Sequence, residues 1–391
     1  MTGRLALSTV AVVLVSSLIP PPMAWASDLP DARGSAGGVR RGGTLPPVEH
    51  RLLDAFAAQG LIDSLKAIRA DTNGHLTIAG LVFVIPRPTP RGTGVAADYA
   101  WRLARVALAA VPALDEVHLT GYHPADAIEP QTVAFTAAVS RAEAAREPGA
   151  ASRIWSDDRP SEGRSAFPSL RARKERGPRA IGEIPAGVHR ESVLSHGDPS
   201  KPTLALTFDD GPGPIYTTLL LDTLDQLGLK ATFFLVGERV IQYPYFVQAI
   251  AQRGHDVGNH SFHHPNLTRL TEADVLTELA QTQEAIARTV GITPRYFRPP
   301  GGDYNASIIA AARSLGLTTV LWTDDPGDYA HLDPGLVEQR LMSRTHNGGI
   351  LLLHQGVSDT VHILPPIAAL LRREGYHLTK VSDLPLPAAG P

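Results

Sequence analysis

The 391-residue chain has no cysteine, so disulfides contribute nothing to its fold and any metal site must use His, Asp or Glu. It also lacks an excess of positive charge. Lys and Arg number 36 against 39 Asp and Glu, a formal net charge of −3, which excludes the global basic field expected of a nucleic-acid binder. Only one long hydrophobic run occurs, at residues 5–19, and it is too short to span a bilayer comfortably as a helix. Arg4 precedes it, Pro20, Pro21 and Pro22 break it, and Ala24-Trp25-Ala26 has the small-x-small form of a cleavage site. Residues 1–26 therefore read as a signal peptide cleaved after Ala26, and the protein as secreted or extracellular, with cell-wall association left open. No later segment reads as transmembrane, and no cysteine is present to carry a lipid.

What is present supports a core or two: 43% of the residues are hydrophobic. Residues 27–46, rich in Gly, Arg and Pro without periodicity, read as a flexible lead. Residues 47–141 read as a small α/β accessory domain. An amphipathic helix pattern runs over 48–70 through Val48, Leu52, Leu53, Phe56, Leu61, Leu65 and Ile68, with Gly60 able to break it in two. HLTIAGLVFVI at 75–85 reads as a strand ended by Pro86 and Pro88, 96–111 as a helix, and 116–122 and 132–140 as strands. That order suits one helix-covered sheet. His75, His118 and His123 form no ligand set and read as ordinary surface or core histidines. The domain's role stays open between wall attachment, partner binding and support. Residues 142–199, with RARKERGPR at 171–179, read as a solvated linker.

From residue 202 onward short apolar strands, helices and glycine stops alternate about six times, with Gly228, Gly254, Gly291 and Gly316 ending helices. This predicts a parallel barrel, closed or nearly so, over 200–391. In such barrels the chemistry sits at the carboxyl ends of the strands, and the chain's candidate polar residues follow strand-like runs. LALTFDDGPGP at 204–214 ends an apolar strand in two carboxylates and a turn. Asp210, His260 and His264 form an Asp plus two His set that suits zinc with a position left for water. His260 and His264 are four apart, so one helical turn would bring them to one side and leave His263 pointing elsewhere. Asp209 is then free to accept a proton from water, with Arg298 as a bidentate partner. His354 closes the strand at 350–353 as a candidate proton donor, Asp325 is the expected partner of its other ring nitrogen, and Leu352 shares its face. Asp324, Asp325 and Asp328 around Pro326 and Gly327 would otherwise make a plain Asx turn.

These stretches resemble the five motifs of the polysaccharide deacetylase family (NodB homology, carbohydrate esterase family 4). TFDDGP at 207–212, HSFHHP at 260–265, RPPGG at 298–302, DPGDY at 325–329 and LLLH at 351–354 occur in the family's order. The resemblance covers about 202–384 and does not reach the N-terminal half. It implies a distorted (β/α) barrel and a divalent metal, zinc first, with cobalt or another ion as alternatives. Motif by motif it implies Asp209 as base, Asp210, His260 and His264 as metal ligands, and Arg298 as the residue steadying the base. It implies Asp325 as the carboxylate tuning the acid and His354 as that acid. Two positions depart from the pattern. Gly301 stands where an aromatic residue is usual, with Tyr304 as a residue to refill the wall, and Tyr329 stands where Trp is usual. Gly301 would still offer its N–H to an oxyanion, and Tyr329 would line an acetyl pocket with Leu352. The implied activity is N-deacetylation of N-acetylglucosamine units in peptidoglycan or chitin-like glycans, with O-acetyl esterase action on acetylated xylan as the alternative.

Overall fold

The computed structural model describes residues 46–85, 93–123, 133–146, 153–156, 192–330 and 334–387. The expected signal peptide, nearly all of the flexible lead and the basic run at 171–179 lie outside these residues.

The N-terminal half comprises α1 (Pro46–Ala58), β1 (Leu65–Thr72), β2 (Thr77–Val84), α2 (Thr93–Ala110), β3 (Glu116–Tyr122), β4 (Val133–Ser140), α3 (Arg141–Ala144) and β5 (Ile154–Ser156). The five strands form one sheet in the order β1-β2-β3-β4-β5, with β2 and β3 parallel and the other pairs antiparallel. The helix expected over 48–70 ends at Ala58, and Leu65 and Ile68 belong to β1 instead. The turn at Asn73 and Gly74 decides this. Asn73 Oδ1 accepts from the N–H groups of His75 and Leu76, and Gly74 has φ 86°. That turn folds β1 back onto β2, and pairing to β2 outweighs the helical spacing. β5 lies in the stretch read as linker.

Strand parity gives the sheet two apolar faces. Leu81, Phe83, Val117, Leu119, Phe135, Ala137 and Val139 pack with Leu52 and Phe56 of α1 and Trp101, Leu103 and Ala107 of α2. The alternate residues Ala67, Ile78, Val82 and Ala138 join the core of the C-terminal half, against Leu219 and Leu220 among others. Both faces are covered, which is why β2 reads as a nearly unbroken apolar run.

The C-terminal half runs β6 (Val193–Leu194), β7 (Thr203–Gly211), α4 (Tyr216–Leu227), β8 (Thr232–Leu235), α5 (Gly237–Gln242), α6 (Pro244–Gln252), β9 (Asp256–Asn259), α7 (Glu272–Val290), β10 (Tyr296–Phe297), α8 (Ala306–Ser314), β11 (Thr318–Val320), α9 (Pro334–Arg344), β12 (Ile350–His354), α10 (Ser358–Arg373) and β13 (His377–Thr379). Its strands pair in parallel in the order β12-β7-β8-β9-β10-β11-β6, with β13 on the first half of β7. A parallel bridge from Asp324 to Leu351 brings the segment after β11 back to β12. The result is a distorted (β/α) barrel, with its earliest strand, β6, already inside the stretch read as linker.

Parity also divides the barrel. Leu204, Leu206 and Phe208 of β7 and Leu351 and Leu353 of β12 face outward into the core shared with Leu219, Leu364 and Leu371 of the helices. Ala205, Phe234, Val320 and Ile350 face inward and fill the barrel with Val381 and Leu384. On the same inward register, Thr207 and Asp209 come next along β7, and Leu352 and His354 along β12. The barrel is thus plugged by apolar residues at one end and carries its polar side chains at the carboxyl end of the strands.

Candidate active site

Arg298, directly after β10, is the largest fully buried side chain among the described residues. Its guanidinium lies 4.3 Å over the Phe234 ring on the apolar plug. Burying that charge is tolerable because most of its donors are met. One terminal nitrogen donates to Asp209 Oδ1 and Thr207 Oγ1, both at 2.8 Å, while Nε and the other terminal nitrogen reach the carbonyls of Val320 and Leu321 at 3.3 Å. The expected bidentate grip on Asp209 is therefore a single contact. The fork is shared between one carboxylate oxygen and the ends of neighbouring strands. Burial pulls the Arg298 pKa down, and Asp209 opposes it.

Asp210 follows on β7 with φ 67°, a left-handed backbone in a non-glycine residue. Arg239 of α5 donates to its carbonyl. Its Oδ1 lies 3.3 Å from His260 Nε2 and 3.1 Å from His264 Nε2. His260 Nδ1 faces the Arg298 carbonyl at 2.8 Å. A carbonyl only accepts, so Nδ1 carries the hydrogen and Nε2 turns a lone pair toward Asp210. The buried Oδ1 finds no hydrogen-bond donor among the described residues. A lone pair of His260 Nε2 facing a buried carboxylate oxygen fits a cation between them, and the ligand atoms of Asp210, His260 and His264 all lie within 4.8 Å of one another. The donor set suits a divalent metal. Burial alone would raise the Asp210 carboxyl, but His264 and His260 beside it hold it well below the usual carboxylate range.

The two histidines are not brought together by a helical turn. The segment after β9 is a loop in which Ser261 and His264 have φ 62° and 58°. Ser261 Oγ accepts from the His264 N–H at 3.1 Å, and Glu278 of α7 accepts from the N–H groups of Phe262 and His263 at 2.8 Å. His263 turns away, as expected, onto Glu278 at 2.6 Å, which raises its pKa. Four-residue spacing thus served the site through a clasped loop. Glu278, which holds that loop, and Arg239, which holds the Asp210 carbonyl, carry no local sequence signal.

His354 corrects one expectation. Its Nδ1 bonds Asp328 Oδ1 at 2.8 Å, and its own N–H donates to Asp328 Oδ2 at 2.7 Å. Thr360 of α10 also donates to Oδ2 at 2.6 Å. Asp325, expected to hold the ring, instead accepts from the Gly327 N–H at 2.8 Å and from the Tyr329 hydroxyl at 3.3 Å. It is the Asx-turn residue of this loop, and the turn carries Asp328 under His354. Burial would lower the His354 pKa, but Asp328 overrides it, with Asp210 and Asp209 adding to the rise well above the usual imidazole value. Burial raises the Asp325 carboxyl. DPGDY offers two aspartates, and only the backbone turn decides which one reaches the histidine.

The expected pocket residues are distributed unevenly. Tyr329 meets the His354 ring edge-on at 5.0 Å. Leu352 is buried on the inward register of β12. Gly301 is exposed with φ 64°, and a side chain there would meet nothing within 4 Å. Tyr304 does not refill that space. It packs against Val193, Ile309 and Leu321.

A parallel barrel with a buried Arg–Asp pair, an Asp–His–His cluster and an Asp-held histidine at its carboxyl end defines a class of barrel proteins built around a candidate metal centre. The sequence profile described as "Polysaccharide deacetylase" matches residues 196–320. A peptidoglycan-N-acetylglucosamine deacetylase of Bacillus cereus is 36% identical over 186 residues, 46% of this chain and 87% of that protein. Peptidoglycan-N-acetylglucosamine deacetylase PgdA of Listeria monocytogenes is 35% identical over 46% of this chain and 38% of its own length. The uncharacterized protein YlxY of Bacillus subtilis is 32% identical over 52% of this chain and 64% of its own length. The chain belongs to the polysaccharide deacetylase family.

Proposed function

We propose that the protein is a secreted, metal-dependent polysaccharide N-deacetylase that hydrolyses the acetamido group of N-acetylglucosamine units in peptidoglycan or chitin-like glycans. The observation that carries this reading is the meeting of three groups at one barrel end: Asp209 on Arg298, the Asp210–His260–His264 cluster, and His354 on Asp328. The family relatives named above as peptidoglycan-N-acetylglucosamine deacetylases support the substrate class. Among the described residues no helix is long and apolar enough to cross a membrane.

Asp210, His260 and His264 would hold the ion, with zinc the first choice for one carboxylate and two imidazoles. A divalent ion there supplies Lewis acidity toward a carbonyl oxygen and lowers the pKa of water. Asp209, paired with Arg298, takes a proton from the attacking water as its oxygen adds to the acetyl carbon. The backbone N–H of Gly301 donates to the oxygen that gains charge. His354, held charged by Asp328, gives its Nε2 proton to the nitrogen as the carbon–nitrogen bond breaks. Acetate and a free amino sugar leave. Tyr329 beside His354 limits the space for the acetyl methyl group, and the open space at Gly301 leaves that side of the groove wide.

The test is acetate release by the mature chain from peptidoglycan, chitooligosaccharides and acetylxylan, with zinc and after chelation. Chelator-sensitive release from an N-acetyl glycan, lost in Asp209→Asn, supports the reading. Release from acetylxylan alone replaces it with O-acetyl esterase action, and no release from any substrate by zinc-loaded protein defeats it.

A further inference from the structure

The sheet of the N-terminal domain touches the barrel where the site is held in shape. His118 of β3, on the parity facing the barrel, is buried and packs on Phe246 with ring centroids 5.0 Å apart. Its Nδ1 lies 2.6 Å from the N–H of Ile215 and its Nε2 lies 2.5 Å from Glu116 Oε1. A backbone N–H can only donate, so Nδ1 accepts and Nε2–H donates to Glu116. Ile215 ends the short loop that follows β7, the strand carrying Asp209 and Asp210 near its end, and opens α4. It has φ 64° and ψ −69°, a conformation that a β-branched residue holds only when its surroundings impose it. Asp210, five residues earlier, also has positive φ.

A second contact reaches the other side of the site. Asp71 of β1 is fully buried and accepts from Ser358 Oγ at 2.6 Å and from His362 Nε2 at 3.2 Å. These residues flank Thr360 on the first turns of α10, and Thr360 donates to the carboxylate that holds His354.

We propose that the N-terminal domain completes the active centre of the barrel, with His118 and Asp71 as positioning residues. His118 fixes the strained end of the loop that follows Asp209 and Asp210 on β7. Asp71 fixes the start of α10 and, through Thr360 and Asp328, the ring of His354. The inference rests on the deacetylase reading for its kinetic test and on the metal cluster alone for its binding test.

The experiment uses the full mature chain and two substitutions of one histidine. In His118→Asn the amide oxygen stands near the place of Nδ1 and can accept from Ile215. In His118→Gln the amide reaches toward Glu116 and leaves the Ile215 N–H unmet. The expected result is a kcat for acetate release about tenfold or more lower in His118→Gln, with KM within about twofold, and recovery of most of it in His118→Asn. Zinc affinity of the metal-free protein, measured by calorimetry, falls in the Gln variant and recovers in the Asn variant. Equal kcat and equal zinc affinity in the two variants overturn the proposal. If the parent chain releases no acetate, the deacetylase reading fails while the zinc comparison still decides this one. If His118→Gln does not fold, Ser358→Ala replaces it. That change removes only the hydroxyl on Asp71, and kcat falls several-fold under the proposal and stays at the parent value if it is wrong.

Discussion

The barrel and the N-terminal domain both bury charge, but they arrange it differently. In the barrel the buried groups converge: Asp209, Arg298 and His354 approach one opening from three strand ends, and Asp328 from the turn that follows β11. In the N-terminal domain they are spread over one face of a sheet, with Asp71 on β1 and Glu116 and His118 on β3, and they point into a contact with α4, α6 and α10. Convergence concentrates field and proton traffic in a small space, which suits chemistry. Dispersion joins two surfaces and fixes their register. If this contrast is right, substitutions in the first set act mainly on turnover. Those in the second act mainly on stability and domain docking, with His118 and Asp71 as the places where docking reaches the site.

The largest effect falls on Asp209. Asp209→Asn keeps an acceptor for Arg298 but cannot take a proton, and acetate release should fall by about 10²–10⁴-fold. Circular dichroism would check that the fold survives. A loss under tenfold in folded, zinc-loaded protein would assign the proton to another group and break the picture of convergence.

Next comes a paired test within DPGDY. Asp328→Asn should lower kcat by about 10³-fold, because it removes the carboxylate that orients His354 and holds its proton. Asp325→Asn should cost less than about tenfold, since a turn-forming side chain loses only part of its hydrogen bonding. The sign of the pH effect is fixed. Asp328 raises the His354 pKa, so its loss lowers that pKa, and the alkaline limb of kcat moves to lower pH. Equal losses in both variants would give Asp325 a share in the proton transfer.

That pair also marks where the sequence stopped being legible. The barrel was readable because its strands are short, most begin apolar, and several helices stop at glycine, as at Gly228 and Gly291 with φ 62° and 70°. The metal cluster was readable because ligands are few in type and two lie four residues apart. The partner of His354 was not, since Asp325 and Asp328 flank one turn and only its backbone path chooses between them. β1 was misread because Leu61, Leu65 and Ile68 keep a helical spacing, and long-range pairing to β2 overrode it. His118 looked ordinary because its partner, Ile215, lies 97 residues away. Arg298 was legible as the partner of Asp209, but not the four-way sharing of its fork.

A third test addresses the dispersed set through acid. Glu116 is buried against His118 and Arg153. Burial alone would raise its pKa, but those partners bring it down to about 2, against about 4.5 ordinarily. A folded-state pKa below the unfolded one means that the contribution is complete above about pH 4.5 and is lost as pH falls toward 2. The difference corresponds to about 3 kcal/mol as an upper figure. Trp101 and Trp155 lie in the N-terminal domain and Trp322 in the barrel. Single-tryptophan versions would therefore follow each half through the acid transition. The N-terminal probes should respond first between pH 4.5 and 2, and Glu116→Gln should flatten that response while lowering stability at neutral pH. A barrel probe that moves first would reverse the assignment.

The smallest effect is expected at the rim of the same contact. His75 meets Asp222 of α4 at 3.0 Å, but its side chain is 62% exposed. An exposed ion pair of this kind contributes about 0–1 kcal/mol, because water and salt screen it and two mobile side chains must be held. Asn73 beside it already secures Asp222 with a 2.7 Å bond and reaches the Leu219 carbonyl at 3.3 Å. His75→Ala should therefore shift the thermal midpoint by no more than a few degrees and leave kcat at the parent value, whereas Ser358→Ala, deep in the same interface, lowers kcat. The comparison turns on depth rather than on residue type. Both side chains join the domain to a barrel helix through an aspartate, but only Ser358 lies on the helix that holds Asp328. If His75→Ala slowed turnover as much as Ser358→Ala, docking as a whole would govern the site, and the specific paths through Asp71 and His118 would lose their distinction.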